Sequence, residues 1–374
     1  MGFIEWLKEL FGVKHDGPAA RPRAPRAQRR ATYLPTPRRK TPRRKRYKRP
    51  EAAYNPDHLS RYELPLIATT HDLARELRLS EGKLRWLTWP RTGADDDHYI
   101  RWSVPKSSGG TRQIAAPKTH TRQAQDWVLK EILKKVPVSA AAHGFIKRRS
   151  IVTNAQSHTG KDIVINMDLE DFFPSVSMAT VVGLFEWMGY SKDVAWHLGM
   201  LCTCRYARRR ALPQGAPTSP AISNLICWKL DRRLAGLARC FEVDYTRYAD
   251  DMTFSGNGAF ARCFPRLIAR VKRICDEEGF TVHPAKTRVM RKSRRQTVTG
   301  LVVNDKASIS RKEVRRLRAI LHNCRTKGAS TQNHDEDPMF RERLLGKIAL
   351  VRMVDPEKAR ALMDQFEQVA WYDS

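Results

Sequence analysis

The sequence predicts an α+β fold that ends in a helical subdomain. Short strand patterns alternate with helical periods up to about residue 305, and after 310 the pattern is helical apart from a polar loop near 327–338. Residues 245–255 read Tyr-Thr-Arg-Tyr-Ala-Asp-Asp-Met-Thr-Phe-Ser, with two adjacent acids between apolar, β-prone flanks. In a straight strand neighbouring side chains point to opposite faces. One of Asp250 and Asp251 would then enter a core, where an unpaired charge is costly. A tight turn that exposes both removes the conflict, and a divalent cation would offset their repulsion. The segment therefore predicts a hairpin that presents two carboxylates to metal.

The remaining elements follow in order. Leu73, Leu77, Leu79 and Leu84 mark helices. Residues 99–104 and 112–116 read as two strands joined through Ser107-Ser108-Gly109-Gly110. Trp127, Val128, Ile132, Leu133 and Val136 suit a helix over 121–136. Residues 163–168 form a compact apolar strand that ends in an acid, Asp168. Residues 178–188, 219–238 and 260–278 are helical in pattern, and the last of these enters a Thr281–Val282 strand. No internal repeat is evident.

Composition narrows the class. The chain has 374 residues, 41% of them apolar, enough for a substantial core. Its formal charge of +30 points to a polyanionic partner, nucleic acid before an anionic membrane surface. Residues 21–50 hold 14 Lys/Arg, six Pro and no acid. Such a segment cannot bury enough apolar surface to order itself, so it reads as a linker or a nucleic-acid arm. Residues 1–12 carry a short amphipathic pattern (Phe3, Ile4, Trp6, Leu7, Leu10, Phe11) that reads as a peripheral docking helix rather than a signal peptide. No apolar run reaches transmembrane length. The seven cysteines form no Cys-X-X-Cys pair. They read as free thiols in a reducing cytoplasm, with a zinc site at Cys202 and Cys204 as the alternative.

The acids are the chemical core. Asp168 ends its strand 82 residues before Asp250 and can converge on the hairpin if the two strands are neighbours. Three carboxylates together with triphosphate oxygens can hold two Mg²⁺ ions about 3.5–4 Å apart, the spacing that clamps an in-line displacement. Mg²⁺ is hard, takes oxygen ligands and needs few protein groups beside substrate phosphate.

Several blocks make the chain recognisable. Tyr248-Ala249-Asp250-Asp251 resembles the active-site hairpin of reverse transcriptases. Residues 166–176, Asn-Met-Asp-Leu-Glu-Asp-Phe-Phe-Pro-Ser-Val, resemble their first catalytic block, and residues 213–220, Pro-Gln-Gly-Ala-Pro-Thr-Ser-Pro, their nucleotide-binding block. Two further elements resemble those of retron reverse transcriptases: Asn154-Ala155-Gln156-Ser157-His158 their NAxxH element, and Val298-Thr299-Gly300 their VTG element. Residues 345–358 are similar to retron thumbs. The resemblance implies a right-hand polymerase: an N-terminal helix and basic arm over 1–54, fingers and palm over 55–305, and a helical thumb over 306–374 that binds RNA and primer-template.

It also implies roles. Asp168, Asp250 and Asp251 ligate two Mg²⁺ ions, with the Leu169 carbonyl as a further oxygen. Phe173 stands where the family carries its sugar gate, which favours deoxynucleotides by crowding a 2′-OH; the alternative is a core phenylalanine, as expected for Phe172. Gln214 and Gly215 line the nucleotide pocket. Lys106 and Arg112 contact the triphosphate or are solvated surface charges. Lys286 protonates the departing pyrophosphate or is a surface lysine. Asn154, His158, Val298, Thr299 and Gly300 contact RNA or primer, His158 alternatively capping local structure. Arg311, Lys312, Arg315, Arg316 and Arg318 suit phosphate tracking.

The implied reaction is RNA-directed DNA synthesis from deoxynucleoside triphosphates. A folded noncoding RNA serves as template and, through the 2′-OH of a guanosine, as primer, giving branched RNA-linked DNA. The resemblance further implies a bacterial cytoplasmic setting and anti-phage defence with a separate effector protein. The alternatives are another bacterial reverse transcriptase (group II intron, diversity-generating or abortive-infection type) and a catalytically inactive RNA-binding scaffold.

Overall fold

The computed structural model describes residues 54–89, 98–105, 110–206 and 209–371. The expected N-terminal helix, the basic arm, Lys106 and most of the 107–110 turn lie outside these residues.

The centre is a four-stranded antiparallel sheet in the order β6-β7-β3-β8: β6 (Asp244–Tyr248), β7 (Asp251–Gly256), β3 (Ile163–Asp168) and β8 (Arg288–Arg291). β3 is internal, and five of its six residues are buried, which explains its continuous apolar run. Two helices, α10 (Trp228–Cys240) and α11 (Phe260–Glu277), pack together, and α10 also packs on β6. Their Leu230, Leu234, Leu267 and Val271 join the main core with Ile163, Ile165, Met167 and Phe254 of the sheet.

Ahead of the sheet come α1 (Pro56–Ser60), α2 (Thr70–Glu76), α3 (Glu81–Thr88) and the hairpin of β1 (Tyr99–Pro105) and β2 (Thr111–Pro117), paired from Tyr99↔Pro117 to Pro105↔Thr111, with α4 (Thr119–Glu131) packed on β2. That hairpin matches expectation. The helix expected over 121–136 ends at Glu131 and passes into a 3₁₀ turn, Leu133–Lys135. α5 (Ile151–Gln156) leads into β3. A short α6 (Phe172–Ser175) precedes α7 (Met178–Met188), which has the expected bounds, and α8 (Lys192–Cys202) packs against it.

Three local expectations change. The helix expected over 219–238 is two, α9 (Ser219–Ile226) and α10, which meet at Cys227. A two-stranded ribbon, β4 (Cys204–Tyr206) with β5 (Arg209–Ala211), was not anticipated. The Thr281–Val282 strand is a single bridge, Leu169↔Val282.

The cysteines carry no disulfide among the described residues. Burial pushes the Cys202 thiol up to about 12, and among the described residues no group of three or more His, Cys, Asp or Glu side chains stands ready to hold a zinc ion with it.

The C-terminal helices α12 (Arg311–Lys327), α13 (Phe340–Val354) and α14 (Pro356–Glu367) bury a core of their own, with Leu317, Leu321, Leu344, Ile348, Leu362 and Phe366. A small third cluster joins this unit to the sheet. Ala155, Val164, Val298, Leu301 and Val303 pack there with Ile309 and with Val354 from α13. No helix among the described residues is long and apolar enough to cross a membrane.

Candidate active site

Backbone hydrogen bonds build the site. β6 and β7 pair through Tyr248↔Asp251, leaving a two-residue turn, Ala249-Asp250. Ala249 adopts φ +56, the left-handed region that a tight hairpin turn requires and an alanine rarely visits. On the other side of β7, Asp168 is the register partner of Asp251. The strand end is gripped from both flanks. Leu169 N–H donates to Asp250 O at 3.0 Å, while His283 N–H donates to Asp168 O at 2.7 Å. The three acids expected from the sequence are therefore neighbours in one sheet end. Asp168 and Asp250 are buried and Asp251 is half-buried.

Asp168 does not stand as a bare anion. Lys286 Nζ donates to both its oxygens at 2.9 Å, from the 3₁₀ turn Pro284–Lys286. This is a bidentate contact to a buried carboxylate, so Lys286 is not the surface lysine of the alternative reading. Among the described residues no group of three or more Asp, Glu, His or Cys side chains forms a ready-made ion cage. The donor set is nevertheless chemically suited to a hard cation: carboxylate oxygens whose charge is partly met by an ammonium. A metal would compete with Lys286 for Asp168 and take further oxygens from substrate phosphate.

The nucleotide block is docked beside this sheet end. Leu212 N–H donates to Val176 O at 3.0 Å, tying the block to the segment that follows Asp168. Gln214 O accepts from Ala115 N–H of β2 at 2.8 Å, and Gln214 N–H donates to the Tyr206 hydroxyl at 3.3 Å. Gly215 has φ +122, and a Cβ there would lie 3.0 Å from both Ala115 O and Ile114 Cγ2. Glycine is thus required by conformation and by close approach to β2. Arg112 on the same strand is only 5% exposed, which removes the solvated-charge reading for it. Phe173 is half-buried. Its ring centroid lies 5.3 Å from that of Phe172 and 6.4 Å from that of Phe145, which in turn reaches Tyr248 of the hairpin at 6.4 Å. Phe172 is core, as expected.

The NAxxH and VTG residues are placed differently from expectation. His158 is fully buried. Its Nδ1 is 2.7 Å from Ser255 Oγ and its Nε2 2.7 Å from Thr246 Oγ1, so both ring nitrogens are spent across β6 and β7. Burial holds the imidazole at a pKa of about 3. Asn154 and Val298 are buried too, and Thr299 Oγ1 donates to Ile151 O at 2.9 Å. The VTG residues lie in a tight hairpin. β9 (Thr297–Val298) and β10 (Leu301–Val302) pair through a turn in which Thr299 and Gly300 both have positive φ. α5 packs on both strands. Of the five residues expected to touch RNA, Gly300 alone is exposed. The two elements are one packed joint at the root of the C-terminal helices, and this corrects the reading of His158, Asn154 and Val298 as RNA contacts.

Sequence reasoning missed a buried group behind the hairpin. Arg247, fully buried, makes a fork-to-fork pair with Asp231 of α10, at 2.8 Å from Nε to Oδ1 and from Nη2 to Oδ2. Burial works against its charge, yet Asp231 holds the guanidinium above its ordinary pKa. Tyr245 donates to the same carboxylate at 2.8 Å. The signal was present: Asp231 falls on the apolar face of α10 with Leu230, Leu234 and Leu237.

Residues 104–304 match the family model described as "Reverse transcriptase (RNA-dependent DNA polymerase)". The reverse transcriptase of retron Mx162 from Myxococcus xanthus is 43% identical over 326 residues, 79% of this chain and 66% of the relative. That of retron Mx65 from the same organism is 42% identical, covering 81% and 72%. This chain belongs to the retron reverse transcriptases. A third relative, from retron Ec86 of Escherichia coli, is 33% identical across 80% of this chain and 89% of its own length.

Proposed function

We propose that this reverse transcriptase extends a hydroxyl primer on a structured RNA template, adding deoxynucleotides and releasing pyrophosphate. The observation that carries the reading is the pairing of Asp168 with Asp251 across β3 and β7, with Asp250 in the adjoining turn. Two Mg²⁺ ions at Asp168, Asp250, Asp251 and the Leu169 carbonyl would neutralise phosphate charge and lower the pKa of the attacking hydroxyl.

The chain's own residues position and discriminate. Gln214 and Gly215, pinned to β2, form a rigid floor for the incoming nucleotide. Arg112 offers a planar donor fork to the triphosphate, with Lys106 beside it in sequence. Phe173 crowds the sugar and disfavours a 2′-OH. Lys286 carries the proton for the leaving pyrophosphate once it has left Asp168.

The relatives support a finer reading. The substrate RNA is a dedicated noncoding RNA that serves as template and, through a guanosine 2′-OH, as primer. The product is branched RNA-linked single-stranded DNA, made in the bacterial cytoplasm and used in anti-phage defence with a separate effector protein.

Nucleic acid extracted from the purified protein tests this directly. After RNase and debranching enzyme, a short DNA of discrete length that was joined to RNA through a 2′–5′ bond supports the full reading. Free complementary DNA supports a different class of reverse transcriptase. RNA alone, with no DNA made on adding dNTPs and Mg²⁺, overturns polymerase function.

A further inference from the structure

We infer that Arg247 is a positioning residue. Its guanidinium sets the turn that carries Asp250 and Asp251 and ties that turn to the helix behind the nucleotide-binding loop. The inference rests on the polymerase reading of the site.

The geometry converges on one carbonyl. Arg247 Nη1 donates to Ala249 O at 2.9 Å, two residues along the chain and one before Asp250. Ala249 is the turn residue in the left-handed region. A carbonyl clamped by a charged donor holds that conformation where the side chain alone would not. The same Nη1 donates to Asn224 Oδ1 at 3.2 Å, and Asn224 Nδ2 donates to Gly144 O at 2.9 Å. Gly144 lies against the turn, where a Cβ would come within 2.8 Å of Ala249 N. Asn224 belongs to α9, which begins at the end of the Pro213–Pro220 block. The backbone of Arg247 is fixed as well: its N–H donates to Ala141 O at 2.8 Å, and its carbonyl accepts from His143 N–H at 2.7 Å.

The competing account is a buried ion pair that merely stabilises the palm. Such pairs are weak sources of stability, because desolvating both charges offsets most of their attraction, and apolar replacements of the whole pair are often neutral or stabilising. An apolar pair such as Leu and Met would fill the space between α10 and β6. It could not supply the donors to Ala249 O and Asn224. Those two bonds are the part of the network that reaches the carboxylates and the nucleotide helix.

The experiment separates the two accounts. The double variant R247M/D231L removes both charges together, so no lone charge is left buried, and R247K keeps a cation for Asp231 while losing the fork. For each, thermal unfolding, amide hydrogen exchange over 248–252, Mn²⁺ binding by electron paramagnetic resonance, and kcat and KM for dNTP on a primed RNA are measured. The expected result is R247M/D231L at or near wild-type Tm, with faster exchange confined to the turn and weaker Mn²⁺ binding. Its kcat falls on the order of 10- to 100-fold, the cost of a displacement of about 1 Å at reacting groups, with little change in KM. R247K shifts the same way by less. If either variant folds and keeps wild-type exchange, Mn²⁺ affinity and kcat, the positioning role is overturned. Should the double variant fail to fold, R247K alone decides between the two results. Wild-type protein that makes no DNA would sink the polymerase reading, while exchange at the turn would still report on Arg247.

Discussion

Lys286 and Asp168 form a bidentate ion pair, the ammonium 2.9 Å from both carboxylate oxygens, at the end of β3. Asp168 is only 3% exposed, so the lysine supplies the positive charge that a buried acid needs. A metal held by Asp168 would compete with Lys286 for the carboxylate, so the ion-pairing role and the proposed proton-donor role of Lys286 are separable.

Lys286→Ala tests both. Without metal the variant should lose on the order of 2 kcal/mol, less than a fully buried broken pair because Lys286 keeps 17% exposure. Saturating Mg²⁺ should recover most of that loss, as read by thermal unfolding with and without metal. Equal losses in both conditions would show that metal does not take the lysine's place. Turnover limited by chemistry should fall by roughly 10²-fold or more if Lys286 also protonates pyrophosphate. Near-normal single-turnover rates would end that proposal.

The catalytic blocks were legible because each is contiguous: a strand ending in Asp168, a tip at Asp250-Asp251, a Gly-Pro loop at 213–220. Their meeting follows from simple antiparallel pairing. The Arg247–Asp231 pair was not legible as a pair, because it joins a strand to a helix through folding that no local pattern encodes. His158 misled for a related reason. An imidazole in a polar run reads as exposed, and only Thr246 and Ser255 on two later strands make its burial tolerable. The break between α9 and α10 at Cys227 leaves no trace in apolar spacing, which runs through it.

Two histidines give a pH dependence, the fully buried His158 and the half-buried His143. Burial lowers His158 to about 3 and His143 to about 4, against an ordinary value of 6.5. Both stay neutral in the folded protein while the unfolded chain takes up protons below 6.5. Their contribution is thus fully present above that value and is lost as pH falls through the window from 6.5 toward 3. For His158 the loss is about 2 kcal/mol at pH 5. Urea unfolding at pH 7.5 and pH 5 checks it. His158→Gln, which cannot titrate, should show a smaller drop between the two; the same drop as wild type would refute the assignment.

Phe173 is half-buried beside Phe145, and Phe145 bridges to Tyr248 of the β6–β7 hairpin. A ring there can meet a sugar while resting on core. Phe173→Ala should relax discrimination against ribonucleotides by at least about tenfold. It should cost less than the roughly 3–5 kcal/mol of deleting a fully buried Phe. The measurement is the ratio of kcat/KM for dNTP and rNTP. A ratio equal to wild type, with stability reduced, would assign Phe173 to packing alone.

On α12 the basic residues are sorted by face. Arg311, Arg315, Arg318, His322 and Arg325 recur at three- and four-residue intervals and are exposed, on a face flanking the buried Leu317, Leu321 and Cys324. Arg315, Arg318, His322 and Arg325 line a shallow groove with Gln365 of α14. Arg316 is on another face, toward α13, where it and Arg343 add to the burial that lowers the pKa of Lys347. A line of cations about 1.5 Å per residue along a helix can follow an RNA backbone. Replacing Arg315 and Arg318 by Ala should weaken RNA binding and make the slope of log K against log salt shallower, by roughly 0.7–0.9 for each phosphate that is no longer neutralised. Arg316→Ala should leave the slope near wild type. Binding isotherms across a salt series decide it. Equal slopes for all three proteins would remove α12 from the RNA-binding surface, and a shallower slope for Arg316→Ala alone would move that surface to the α13 side.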